Sequence, residues 1–138
     1  MRLKILKIIL ILITMTGYYY ETVFILTPVL SEKEAKDAVQ KFKEVLVNQG
    51  ADVYHTEEWG LRKLAYTIQK KSTGYYALFE FNGNRESVKV LETEFRRDEK
   101  VMRFLTTALD KYALEYNERR RRGEFNKNKE TKPKREEN

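Results

Sequence analysis

The sequence predicts an α+β fold with the element order β-α-β-β-α-β, and three observations carry that prediction. Two stretches repeat apolar residues at helical spacing, four others alternate with period two or are dense in aromatic and β-branched residues, and the two kinds succeed one another within residues 15–110. With right-handed crossovers this order gives a four-stranded antiparallel sheet with two helices on one face, the ferredoxin-like βαββαβ arrangement, followed by a disordered basic C-terminal tail.

The first strand is Tyr18–Leu26, "YYYETVFIL", which stops before Pro28. Ser31 opens the first helix: Ser31 and Glu34 have capping-box spacing, Ala35, Ala38, Val39, Phe42 and Leu46 form one apolar stripe, and Gly50 closes it. A single apolar face means a helix lying on a sheet. Residues 51–58 and 61–68 make a long interrupted strand with Gly60 as a bulge, and Leu64, Tyr66 and Ile68 share the face toward the helices. Ser72, Thr73 and Gly74 are expected to turn the chain into "GYYALFEFNG". There Tyr75, Ala77, Phe79 and Phe81 point inward and Tyr76, Leu78 and Glu80 outward, the carboxylate of Glu80 setting the choice of face.

Asn84 then caps a second helix over residues 85–96 with Val88, Leu91 and Phe95 as its buried stripe. In Val101–Leu109 both faces are partly apolar, which predicts a strand with a sheet neighbour on each side. Residues 15–110 therefore form the domain. Residues 111–138 are charged and largely disordered, with a helical turn or two at their start, since "GEFNKNKETKPKREEN" lacks the apolar area to offset the entropy of ordering it.

Residues 1–14 place Arg2, Lys4 and Lys7 ahead of the apolar run 8–13. That run is too short to span a bilayer, and no small-x-small cleavage site follows it. Translation is therefore expected to start at Met15, with a genuine export or membrane segment as the alternative.

Composition excludes several kinds of chemistry. There is no cysteine and a single histidine, His55, so disulfide frameworks, thiolate catalysis and zinc sites built on cysteine or several histidines are ruled out, and reducing cytosol is the expected compartment. The net charge of +6 is uneven: residues 1–14 carry +3, residues 111–138 carry +4, and residues 15–110 carry −1. Any nucleic-acid affinity of the domain must come from local clusters of cations. Arg119 to Arg122 form the densest run and stand as an RNA or phosphate contact.

The fold alone leaves RNA binders, acylphosphatases and ligand-sensing domains open. An acylphosphatase needs a phosphate-cradling loop with glycine and arginine after the first strand, and "TPVLS" has neither. No catalytic triad or carboxylate pair can be assembled, and His55 between Tyr54 and Thr56 reads as an ordinary strand residue, so no enzyme, cofactor, metal or small-molecule substrate is expected. A single-stranded RNA binder of the RNA-recognition-motif kind remains the alternative. Its signature is imitated by "TGYYALFEF" but fails where Tyr76 replaces a small residue and Ala77 a stacking phenylalanine.

The stretches "YETVFILTP" (residues 20–28), "EEWGLRKLAYTIQKKSTGYYALFEF" (residues 57–81) and "ETEFRRDEKVMRFLTTAL" (residues 92–109) resemble the bacterial small-subunit ribosomal protein six family, in order and over about ninety residues. Gly60-Leu61-Arg62-Lys63-Leu64-Ala65-Tyr66 and Phe95-Arg96 with Asp98, Val101, Arg103 and Phe104 carry the likeness. Thr67 departs from the family's usual proline and would allow one more ladder hydrogen bond.

The resemblance implies a structural place in the cytoplasmic small ribosomal subunit, contact with the central domain of small-subunit ribosomal RNA, and partnership with small-subunit ribosomal protein eighteen. On this reading Arg62 and Lys63, Lys70 and Lys71 at the hairpin tip, Arg96, Arg97 and Arg103 around the second helix exit, and Arg119 and Arg120 in the tail are the RNA-binding candidates. Trp59, Leu61, Arg62 and Tyr66 are the partner-binding candidates. For any one of these charges, keeping a sheet edge soluble is the competing role.

Overall fold

A computed structural model describes residues 4–5 and 18–123; the apolar run 8–13, Met15 and the tail 124–138 lie outside the described residues. The chain divides into two compact units, Met1–Ala108 and Leu109–Asn138. The first carries β1 (Tyr18–Leu26), α1 (Glu32–Asn48), β2 (Asp52–Ile68), β3 (Lys71–Gly83), α2 (Arg85–Arg97) and all but the last residue of β4 (Val101–Leu109); the second carries α3 (Lys111–Arg121). The four strands form one antiparallel sheet in the order β2-β3-β1-β4, so the predicted ferredoxin-like arrangement is the observed one.

Aromatic packing joins the layers. Phe24 of β1 is fully buried, and its ring centroid lies 5.7 Å from Phe42 of α1, 5.1 Å from Phe79 of β3 and 5.0 Å from Phe95 of α2. Phe42 and Phe95 meet at 4.8 Å, and Phe104 of β4 reaches Phe95 at 5.1 Å. Both helices therefore lie on the face of the sheet that carries Phe24 and Phe79. The α1 stripe buries the five residues that periodicity selects, and the capping box is closed: Ser31 Oγ accepts from the Glu34 amide at 3.2 Å while the Ser31 amide donates to Glu34 Oε2 at 3.1 Å. On α2, Asn84 caps as expected, but Ser87 takes the fully buried place beside Leu91 and Phe95, and Val88 packs at its margin. The Ser87 hydroxyl donates to the Asn84 carbonyl at 2.6 Å, which satisfies it in that position.

Four expectations are corrected. The chain reverses at Gln69 and Lys70, with φ of 50° and 63°, between the paired Ile68 and Lys71; Ser72, Thr73 and Gly74 already belong to β3. Two successive positive φ values are what a two-residue hairpin with the right twist requires, and Gln-Lys gives no glycine or asparagine signal of it. Secondly, β4 is an edge strand beside β1 alone, held there in part by the Thr106 hydroxyl donating to the buried Thr22 hydroxyl at 3.1 Å. Its second apolar face is simply exposed, with Leu105 at 68%. Thirdly, Leu78 and Glu80 point away from the helices as alternation requires, yet both are buried. Glu80 accepts a hydrogen bond from the Tyr54 hydroxyl at 2.8 Å, and the Tyr54 ring meets Tyr19 edge-on at 6.0 Å.

The fourth correction concerns β2, whose pairing with β3 shifts after Val53, after Glu58 and again after Lys63. Gly60, at φ +73°, takes up the second shift, as the bulge reading requires. Beyond Lys63 the register skips to Ile68, so Thr67 gains no β3 partner, and strict alternation fails: Leu64 and Ile68 are buried while Tyr66 is 66% exposed.

The second unit holds one three-turn helix where the sequence suggested a turn or two. Asp110 Oδ1 accepts from the Ala113 amide at 2.7 Å, and Arg119, Arg120 and Arg121 occupy the last turn, where cations favour the negative end of the helix dipole.

Gly74 shows how tightly β3 passes β1: a Cβ there would run into Ile25 Cγ2 and stand 3.2 Å from the Leu26 carbonyl oxygen. Gly74→Ala is expected to lower stability by about 1–3 kcal/mol in urea denaturation, whereas Ser72→Ala, at an exposed position of the same strand, should stay within about 0.5 kcal/mol.

Candidate nucleic-acid interface

The break in the β2–β3 register frees the end of the hairpin to meet the opposite side of the sheet. Thr67, Ile68 and Gln69 of the hairpin line one shallow groove with Arg96, Met102, Arg103 and Phe104. Hence the strand at one sheet edge and the strand at the other contribute to a single surface, which sequence order does not reveal.

Two of the candidate cations, Arg96 and Arg103, line this groove, and three more, Lys70, Lys71 and Arg97, are within two residues of its lining in the chain. The Arg103 guanidinium carbon lies 6.0 Å from the Tyr66 ring centroid, and that of Arg96 lies 5.6 Å from Phe104. Arg96 also pairs with Glu92 at 3.3 Å, and Arg97 with Glu94 at 3.8 Å, each within α2 and each with about two-thirds or more of the arginine side chain in solvent. Lys70 sits at the hairpin tip itself, and Lys71 is the first residue of β3. Among the described residues neither Lys70, Lys71 nor Arg103 has a carboxylate partner.

Arg62 and Lys63 lie further back on β2, paired in register with Gly74 and Thr73. Arg62 donates from Nε to the Trp59 carbonyl at 3.1 Å, which folds its side chain along its own strand. Arg119 and Arg120 lie in the second unit, on α3.

The partner-binding candidates separate into two places. Trp59 stacks on Tyr76 with centroids 6.0 Å apart and planes 20° from parallel, and Leu61 stays 53% exposed beside it. Leu61, Tyr76, Gly60 and Glu58 border a groove of about 470 Å³ against Ala35, Lys36 and Val39 of α1. Tyr66 belongs with Arg103, seven residues and roughly 20 Å of extended strand from Trp59. Stacked Tyr76, buried Leu78 and buried Glu80 leave no row of free rings on the sheet face where an RNA-recognition motif would stack bases.

Asp98, a further side chain of the α2–β4 turn, has a structural hold on this surface. Asp98 caps the C-terminus of α2, where a carboxylate meets the negative end of the helix dipole. Burial pushes its carboxyl up, but the Lys100 amide donating to Oδ1 at 3.0 Å and the Lys41 ammonium donating to Oδ2 at 3.1 Å outweigh burial and hold it below its usual value. The same turn is fastened to β1 by the Thr27 amide, which donates to the Lys100 carbonyl at 2.8 Å. Asp98 thereby ties the turn between α2 and β4 to Lys41 of α1. The signal was available: an acid directly after two arginines at a helix end calls for a partner.

Among the described residues no cluster of three or more histidine, cysteine or acidic side chains is placed to hold a metal, and no helix is long and apolar enough to cross a membrane. His55 Nε2 stands 3.5 Å from Glu57 Oε2 on β2, an intrastrand pair with no nucleophile assigned to it.

The family description "Ribosomal protein S6" matches residues 19–108. Small ribosomal subunit protein bS6 of Bacteroides fragilis is 58% identical over 108 residues, covering 78% of this chain and 95% of its own. The protein of the same name from Porphyromonas gingivalis is 60% identical over 102 residues, covering 74% and 87%. The crystal structure of 30S ribosomal protein S6 from Thermotoga maritima superposes with a TM-score of 0.67 at 27% identity, over 77% of this chain and 98% of that one.

Because Asp98 has a depressed folded-state value, its contribution to stability is complete above its ordinary value of 3.8 and is lost as pH falls through the lower folded value. Asp98→Asn should therefore be less stable than the parent chain by about 1 kcal/mol at pH 7, given the half-exposed lysine partner, and thermal melts should show the gap closing only below about pH 4.

Proposed function

The chain belongs to the ribosomal protein S6 family, and from that premise we propose that it binds the central domain of small-subunit ribosomal RNA jointly with small-subunit ribosomal protein eighteen. It is a structural protein of the small ribosomal subunit, working in the cytoplasm on the ribosome; RNA binding and translation follow from that place.

The observation that carries the joint-binding reading is the contrast between charge and arrangement. Residues 15–110 have a net charge of −1, yet Arg96 and Arg103 line one groove with the end of the hairpin, whose turn carries Lys70 and is followed by Lys71. A body this close to neutral offers no long-range attraction for a polyanion, so its phosphate contacts act once something else has brought the RNA near. A basic neighbour supplies that attraction. The neighbour's contact would lie at the Gly60 bulge, where Trp59, Leu61 and Arg62 present apolar area and the unpaired outer edge of β2 presents backbone groups. Tyr66 leaves the partner set and joins the cations. The catalytic inertness of the chain is part of the same proposal.

Filter binding with a central-domain RNA fragment tests this. The chain alone should bind weakly, the pair with protein eighteen tightly, and affinity should fall as salt rises; Arg96→Gln with Arg103→Gln should flatten the log–log salt slope by about 2. If the chain alone binds short single-stranded RNA tightly and Tyr76→Ala abolishes this, the recognition-motif alternative replaces the proposal.

A further inference from the structure

We propose that Tyr66 and the two arginines beside it form a seat for one unpaired RNA nucleotide, its base stacked on the Tyr66 ring and its phosphate held between Arg103 and Arg96. This rests on the RNA-binding role proposed above and adds to it which nucleotide chemistry is recognised at this surface.

The geometry argues for a base in particular. A tyrosine two-thirds exposed at a register break would ordinarily sweep through several rotamers, but the Arg103 guanidinium at 6.0 Å gives the ring a preferred position. A ring so held presents a flat apolar surface at little further entropic cost, which is what a stacked base needs. Behind it, Arg96 is likewise steered by a ring, lying over Phe104 at 5.6 Å. Both arginines line one groove, whose lining, from Thr67 and Gln69 to Met102 and Phe104, includes no carboxylate. The ion pair from Arg96 to Glu92, at 3.3 Å with 65% of the arginine side chain exposed, is weak enough to yield to a phosphate.

An alternative occupant, a side chain of the protein partner, fits less well. The charged groups it exposes are the Arg96 and Arg103 guanidiniums, with the Tyr66 ring beside Arg103, while its apolar lining from Ile68, Phe95, Val101, Met102 and Phe104 is buried or half-buried; Trp59 and Leu61 supply the exposed apolar area elsewhere on β2. Paired RNA is also a poor fit, because bases within a duplex have no free face to offer the ring.

The test separates two steps with the full chain. Affinity for protein eighteen is measured without RNA, and affinity of the resulting pair for a central-domain fragment is then measured over a range of salt. Tyr66→Ala should leave the first step unchanged and weaken the second roughly 10- to 100-fold with an unaltered salt slope, while Tyr66→Phe stays near the parent. Arg103→Gln should weaken the second step and reduce the slope by about 1. With 2-aminopurine placed in turn at the fragment's unpaired positions, one position should be quenched by the parent pair and not by Tyr66→Ala. Weakened pairing with protein eighteen in Tyr66→Ala, or RNA affinity unchanged by it, overturns the nucleotide seat. Failure of the parent pair to bind the fragment at all overturns the joint-binding reading instead.

Discussion

The contact of Phe24 with Phe42, Phe79 and Phe95 is the constraint from which the rest of the structure follows. One ring from a central strand meets one ring from each helix and one from the other central strand, and none of the four is more than 1% exposed. Burial of side chains this large contributes about 2–3 kcal/mol each. The cluster also decides orientation. Phe95 can touch both Phe42 and Phe24 only if α2 lies alongside α1, and with Phe95 fixed, Phe104 packs on it at 5.1 Å and brings β4 to the edge of the sheet. Arg96 and Arg103, each one residue from a ring in this chain of contacts, are therefore positioned by the core even though they lie on the surface.

The opposite end of the same surface is positioned by a defect instead of by packing. β2 has 17 residues, and three register shifts let it follow β3 through Lys63 and then depart from it. A strand kept in strict register would have turned Tyr66 and Leu64 to the same face. Leaving the register lets Leu64 and Ile68 be buried while Tyr66 turns to Arg103 on the far side of the sheet. The two positive φ values at Gln69 and Lys70 close this irregular arm, so strain at the turn and irregularity in the strand serve the same placement.

These two origins explain what could be read from the sequence. The element order, the α1 stripe, its capping box, the Asn84 cap and the Gly60 bulge were all legible, because each is a local rule with a local signal. What could not be read depends on residues far apart in the chain. The position of β4 at an edge depends on how the helices pack, so two apolar faces misled. Glu80 is buried because Tyr54, 26 residues away, lies over it with a hydrogen bond, and no property of Glu80 announces that. The turn at Gln69-Lys70 lacks the asparagine or glycine that usually marks it, while Gly74, which resembles a turn signal, is needed for close passage past Ile25. Of the candidate surface, the basic and aromatic residues can be picked out from the sequence but their grouping cannot: the register break carries Tyr66 to Arg103 and away from Trp59.

The polar contacts of the surface cations are individually weak, and that weakness is what binding requires. Arg96 and Arg97 bond to glutamates one turn back on their own helix, both largely in solvent, where such a pair is worth less than about 1 kcal/mol. A pair that weak orients a guanidinium without consuming its charge, so exchanging the carboxylate for a phosphate costs little. Asp98 is the contrast: its side chain is 11% exposed and it holds both the Lys41 ammonium and the Lys100 amide, so it remains engaged whatever binds nearby. Strong polar contacts thus fix the turn, and weak ones leave the cations beside it available. In a domain whose net charge is −1, keeping those few cations oriented and exchangeable is what the proposed RNA contact requires of them, since the overall charge supplies no attraction.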